Sequence, residues 1–244
     1  MNQLPAQPNK SLIDGIAVLQ ELSRRGHPIS GLELSRNLKM EKTRINRLLK
    51  TLAFLGLSKM VAGRKYVCGD AIHVLSAQSL YGSGLLAAAM PLLSQLQQYG
   101  HIVALGVLWR DKVSYLYHHH PAHGNTIEGL GGHGSYPVWK SSIGMALLAQ
   151  QSDGEIRELY ENARLEMDDG VVDDLSTAIP DIRAKGYADV YTDHHSLAVP
   201  VGKPPFAALA LSGRIPDGEI EKFVVILKTT AIAIEEKLNA YHQS

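Results

Sequence analysis

The stretch "EKTRINRLLKTLAFLGL", residues 41–57, decides how the first part of this chain folds. Ile45, Leu48, Leu49, Leu52 and Leu55 fall at i, i+3, i+4, i+7 and i+10, a spacing that gathers apolar side chains into one stripe of an α-helix. The face left over carries Thr43, Asn46, Arg47 and Lys50, flanked by Lys42 and Arg44. The spacing predicts five buried apolar residues backing a surface rich in hydrogen-bond donors, which is what a helix needs to lie in the major groove of DNA.

Toward the N-terminus, Leu12, Ile16, Leu19 and Leu22 recur at helical spacing as far as Arg25, and Gly26, His27 and Pro28 end the pattern. "SGLE" then places Ser30 at a helix start with Glu33 three residues on, a reciprocal cap for a short helix through Leu38. A turn at Lys39 and Met40 leads into the long helix. Beyond that helix, "LSKMVAGRKYVCG" reads as a hairpin, with strands around Leu57–Val61 and Lys65–Cys68 and a turn at Ala62, Gly63 and Arg64. Short helix, turn, long helix and hairpin make a winged helix-turn-helix over residues 10–70. Arg64 and Lys65 stand at the wing tip, suited to a phosphate or minor-groove contact. Arg47 has three readings: a base contact, a phosphate contact, or a stem lying along the domain surface.

Charge agrees with that division. Residues 1–70 hold 12 Lys and Arg against 5 Asp and Glu, and the rest hold 12 against 19, so the segments carry +7 and −7 while the whole chain is neutral. A basic module joined to an acidic body predicts a nucleic-acid footprint on the module alone. The polar, proline-bearing residues 1–9 read as a disordered tail without the features of a signal peptide. The strongly apolar "LLAAAMPLL", Leu85–Leu93, is far short of the ~20 residues that span a bilayer. One cysteine, Cys68, excludes an intrachain disulfide and a Cys-based zinc module. A cytoplasmic protein with no membrane association is the expectation.

Residues 71–84 read as a linker helix, broken at "YGSG", and residues 85–244 as a second domain. There "HIVALGVLWR" and "KVSYLYHHH", joined at "DK", have the composition of paired strands, and "AALALSG" is a later buried strand. Helices are expected at about 142–151, 153–163, 173–185 and 217–241. Pro91 kinks the helix around it or marks that helix's true start. The pattern is α+β with an antiparallel sheet. Phosphate-loop, dinucleotide, nucleophile-elbow and zinc-protease motifs are absent from the sequence, which lowers the expectation of an enzyme.

Four segments in order, "EKTRINRLLKTLAFLGLSKM", "YPVWKSSIGMALLA", "IRAKGYA" and "SLAVPVGKPPFAALALSG", resemble the signature segments of the IclR family of bacterial transcriptional regulators, over about residues 10–240. The resemblance implies a GAF-like effector-binding domain behind the winged helix. It also implies a homodimer or homotetramer on a partly palindromic double-stranded DNA operator, and control, most often repression, of a catabolic operon by a small organic acid such as a sugar acid or an aromatic acid.

The residues themselves place an anion-binding end at the start of "SSIGMALLAQ", where the first-turn N–H groups around Ser142, Ile143 and Gly144 lack helical acceptors. The resemblance adds Ser196 and Ser212 as effector contacts. This chain departs from the family at Ala210, where many members have serine, and at Met145, where most have lysine. Its shorter "ADVYTDHH" loop carries Asp189, Asp193, His194 and His195, of which Asp193 is taken as the acidic pocket residue. No cofactor is implied.

The run "YLYHHHPAH", residues 115–123, with His133 beyond it, raises a competing idea. In an extended strand His118 and His120 share a face while His119 points the other way. Two histidines from that strand with His194 or His195 could hold a metal and make a metal-dependent enzyme. Otherwise His118 and His120 contact the effector, or sit in a solvated strand end before Pro121.

Overall fold

The computed structural model describes residues 7–123, 135–163 and 169–243, and the chain divides into two compact units, with the boundary in sequence after Ser83. In the first unit, α1 (Lys10–Arg25) starts on Asn9, whose side chain accepts from the Leu12 N–H, and stops at Gly26 in the left-handed conformation. A two-residue strand β1 (Ile29–Ser30) precedes α2 (Gly31–Asn37). The Ser30 hydroxyl accepts from the Glu33 N–H at 3.2 Å, and the Ser30 N–H donates to Glu33 Oε2 at 2.9 Å, completing the reciprocal cap. Helix α3 (Lys42–Phe54), strands β2 (Ser58–Val61) and β3 (Lys65–Cys68), and helix α4 (Ala71–Gly82) follow. The short strand β1 pairs with β3, so the wing is a three-stranded sheet in the order β1-β3-β2.

Val18, Leu22, Ile29, Leu34, Ile45, Leu49 and Leu52 form the core of this unit. Two expected apolar stripes are corrected here. Leu55 is 55% exposed, and on α1 Leu12 and Ile16 are exposed while Asp14, Val18, Glu21 and Leu22 face inward. Leu12, Ile16, Leu19, Leu48 and Leu55 instead line one groove between α1 and the end of α3. Two carboxylates can face inward because each has cationic partners. Glu21 accepts from Arg24 at 2.7 Å, Arg25 at 2.9 Å and Asn37 at 3.0 Å. Burial pushes the Glu21 carboxyl upward, but the hydrogen bonds from Arg24, Arg25 and Asn37 outweigh it and hold the pKa below the usual range. Its stabilisation is therefore present above the ordinary carboxylate pKa and is lost as pH falls through the depressed folded value.

In the second unit, α5 (Leu85–Leu96) runs through Pro91 without a break in the helix. It leads into β4 (Ile102–Trp109) and β5 (Lys112–His119), then β6 (Ser135–Pro137), α6 (Ser142–Leu148), α7 (Asp153–Ala163) and α8 (Asp169–Lys185). Strands β7 (Ala188–Tyr191), β8 (His195–Val201) and β9 (Ala207–Gly213) precede the closing helix α9 (Ile220–Gln243). The six strands form one antiparallel sheet in the order β6-β5-β4-β9-β8-β7. Two departures from expectation have local causes. The "ADVYTDHH" stretch is not all loop, because Ala188–Tyr191 pair with His195–Ala198 as a hairpin. Helix α6 ends at Leu148, short of residue 151, where the Arg183 guanidinium donates to the Ala149 and Gln151 carbonyls at 2.8 and 2.7 Å and fixes a turn.

Side-chain size sorts the two faces of this sheet. Val103, Leu105, Leu197, Val199, Leu209 and Leu211 point to the side packed by α5 and α9. Ala104, Ala198, Ala208 and Ala210 point to the other side, against α6. All seven residues of α6 are buried, as close approach over an alanine floor requires. Gly144 lets α6 pack against the turn that precedes it, since a Cβ there would lie 2.4 Å from the Val138 carbonyl oxygen.

Leu49→Ala is expected to destabilise the first unit by roughly 2–5 kcal/mol, whereas Leu55→Ala should change it by no more than about 0.5 kcal/mol, as read from urea unfolding.

Candidate DNA-binding face and effector site

Helix α3 and the wing present the expected donors. Lys42, Thr43, Asn46, Arg47 and Lys50 are exposed on α3, and Arg64 and Lys65 are exposed at the hairpin tip. Gly63 and Arg64 both take positive φ, 73° and 54°, which closes the three-residue turn between the paired residues Val61 and Lys65. Arg44 is placed differently from its neighbours. It is half-buried, and its Nε lies 2.5 Å from Oδ2 of Asp14, a carboxylate only 5% exposed on α1.

In the second unit the three candidate serines come together. Ser196 and Ser212 are direct cross-strand partners on β8 and β9, in the row of side chains next to Ala198 and Ala210, so both face α6. Ser142, buried on α6, reaches down to them: Ser142 Oγ is 2.8 Å from Ser196 Oγ, and Ser196 Oγ is 2.5 Å from Ser212 Oγ. Three hydroxyls in a row need only two protons to satisfy one another, which leaves one O–H that can turn toward an acceptor on a guest. Ile143 and Gly144 are buried beside them, and the Gly144 N–H donates to the Ser141 hydroxyl at 3.3 Å.

A β-bulge shapes strand β5. Leu105 pairs with Tyr117 but Gly106 with Tyr115, so Leu116 is the extra residue and the strand parity flips there. As a result Tyr115 and His118, three positions apart, both face α6, with ring centroids 5.8 Å apart and nearly perpendicular. The Tyr115 hydroxyl sits 3.1 Å from Ser141 Oγ, and burial keeps the phenol pKa above its ordinary value. Tyr115 and Ser141 were not among the residues singled out from the sequence; strict alternation assigns Tyr115 to the wrong face, and no residue pattern announces the bulge. His120 accepts from the Ala122 N–H on Nδ1 at 3.1 Å, closing its own turn.

His118, His120 and His194 do not assemble into a metal site. His194 lies in the β7–β8 turn and contacts Asp193 at 2.7 Å, while β4 and β9 stand between β5 and β8, a separation of roughly 14 Å at the usual strand spacing. Ligands sharing one zinc ion each lie about 2 Å from it. Among the described residues no group of three or more His, Cys, Asp or Glu side chains could hold a metal ion. His133 and the glycine-rich run before it lie outside the described residues, as do residues 1–6 of the tail. Asp193 is exposed at the hairpin turn, where it accepts from the Thr192 hydroxyl at 2.9 Å.

The loop's more constrained histidine is His195, one residue before Ser196 and so on the opposite face. Its Nδ1–H donates to Asp189 Oδ2 at 2.9 Å and its Nε2–H to Asp217 Oδ1 at 3.0 Å. Both ring nitrogens can donate only in the imidazolium form. Burial pushes the pKa down, but the hydrogen bonds to Asp217 and Asp189 outweigh it and raise the value above 6.5.

The two units define a class: a winged helix-turn-helix module followed by an α+β module whose curled antiparallel sheet carries helices on both faces. Nearly the whole chain has the fold of IclR-family transcriptional regulators. A crystal structure of an IclR-family regulator from Brucella abortus superposes with a TM-score of 0.78 at 22% identity, covering 99% of this chain and 95% of that one. An IclR-type regulator from a Silicibacter species gives 0.78 at 20% identity, with 93% and 96% covered. An IclR homologue from Microbacterium hydrocarbonoxydans, complexed with 4-hydroxybenzoate, gives 0.65 at 19% identity, with 95% and 100% covered. No family model matches the sequence, and no curated protein is similar to it in sequence.

The His195 bridge makes a pH prediction. A raised folded pKa contributes stability that is fully present below the unfolded value and is lost as pH rises through the folded one. The melting-temperature gap between wild type and His195→Gln should be widest near about pH 5–6 and close as the solution becomes alkaline.

Proposed function

We propose that this protein is an IclR-type regulator and not an enzyme: a cytoplasmic, sequence-specific DNA-binding repressor of a catabolic operon, relieved by a small carboxylate effector. The observation that carries the reading is the polar face of α3, with Lys42, Thr43, Asn46, Arg47 and Lys50 exposed beside a wing tipped by Arg64 and Lys65, in a chain with the fold of IclR-family regulators. One helix in one major groove offers few base contacts, so two copies on a partly palindromic operator are the natural arrangement. Exposed apolar residues of the first unit, Leu12, Phe54, Leu55, Val74 and Leu75, support a homodimer or homotetramer.

The row of hydroxyls at Ser142, Ser196 and Ser212, backed by Tyr115 and His118, suits a guest that ends in a carboxylate and carries a flat or hydroxylated body. The 4-hydroxybenzoate held by one structural relative makes aromatic acids the first class to test, ahead of sugar acids. Repression responds to the effector by linkage, with a coupling typically of about 1–3 kcal/mol between effector and DNA.

Selection of bound fragments from a genomic library at two salt concentrations tests the first half of this reading. A shared, partly palindromic site that survives the higher salt is expected; binding that is salt-labile and indifferent to sequence overturns it. For the second half, Ser196→Ala and Ser212→Ala should each weaken effector binding by roughly tenfold, measured by calorimetry with 4-hydroxybenzoate and a panel of other carboxylates, while operator binding without effector stays unchanged.

A further inference from the structure

Asp14 occupies a position that the packing of α1 would fill equally well with an apolar residue. It shares the inward stripe with Val18 and Leu22 and is 5% exposed. Lys10 approaches it at 3.8 Å with a side chain 77% exposed, so the strong partner is Arg44, with Nε at 2.5 Å from Oδ2. An ion pair between a buried carboxylate and a half-buried guanidinium adds little net stability over a well-packed apolar replacement. The pair has a directional consequence instead. Arg44 Nε is sealed from solvent and meets Asp14 as an ion pair without hydrogen-bond geometry, while the side chain as a whole keeps 39% of its exposure. Arg44 is the third residue of α3, and side chains in a helix lean toward its N-terminus, the end of a recognition helix that approaches the DNA backbone and bases.

We infer that Asp14 is a positioning residue for DNA: it grips the Nε edge of Arg44 and so presents the outer guanidinium edge, at the start of α3, to a backbone phosphate. The inference rests on the DNA-binding reading above. It makes Arg44 a phosphate contact rather than a base reader. A guanidinium can hold a carboxylate on one edge and a phosphate on the other, whereas an ammonium bound to Asp14 has one point charge to share.

A phosphate contact is independent of sequence, so the test uses a short mixed-sequence duplex, titrated by fluorescence anisotropy across a salt series. Asp14→Asn should weaken binding by roughly threefold to tenfold and lower the slope of log K against log salt by about one. In an Arg44→Ala background Asp14→Asn should change neither quantity, and Arg44→Lys should bind like Arg44→Ala. A folded Asp14→Asn protein with wild-type affinity and slope overturns the inference and leaves Asp14 a packing residue. An Asp14→Asn effect that persists undiminished on top of Arg44→Ala overturns it too. If Asp14→Asn does not fold, the lysine variant decides, and wild-type binding by Arg44→Lys refutes the grip. Failure of the wild type to bind duplex DNA at low salt sinks the regulator reading itself, and the inference with it.

Discussion

In the central strands of the second unit, side chains of two sizes point in opposite directions, and the rest of that unit depends on this sorting. Leucines and valines on one face give α5 and α9 a deep surface to pack against, while alanines on the other leave room for α6 to lie close to the backbone of the sheet. A helix that close can bury all of its residues, polar ends included, and Ser142 then arrives at hydrogen-bond distance from Ser196. With a leucine at Ala198 or Ala210 the helix would be forced outward and the row of hydroxyls pulled apart. Packing volume therefore sets the geometry of the candidate effector site before any polar contact does.

The first unit solves a different problem. Helices α1, α2 and α3 with a three-stranded sheet give a small core, and α1 spends two of its inward positions on carboxylates. Glu21 ties α1 to α2 through Asn37, and Asp14 ties α1 to α3 through Arg44. Each carboxylate is tolerable only because it meets cations or amides at short range, since an unpartnered buried charge is strongly destabilising. The electrostatic links thus fix the mutual placement of the three helices, on which presentation of the polar face of α3 depends.

Much of this was legible in the chain because the relevant signals are local. The α3 stripe, the Ser30–Glu33 cap and the hairpin turn at Gly63 each follow from residues a few positions apart. The illegible features involve partners distant in sequence. Leu12, Ile16 and Leu55 keep perfect helical spacing yet line an open groove, because spacing defines a face of a helix but not what covers it. Asp14 and Arg44 are thirty positions apart, and neither advertises the other.

The chain alone shows two modules, the helical and strand periods within them and the basic face of α3, whereas Ser196 and Ser212 entered through the family resemblance. The periods and the basic face follow from backbone geometry, in which a period of 3.6 or 2 assigns each side chain a direction. Only the tertiary structure decided that Tyr115 joins His118 on the α6 face, that His118 and His194 stay apart, and that Arg44 leans on a buried carboxylate. The reason is physical: a bulge reverses every side chain beyond it, and strand order sets distances that no local spacing encodes.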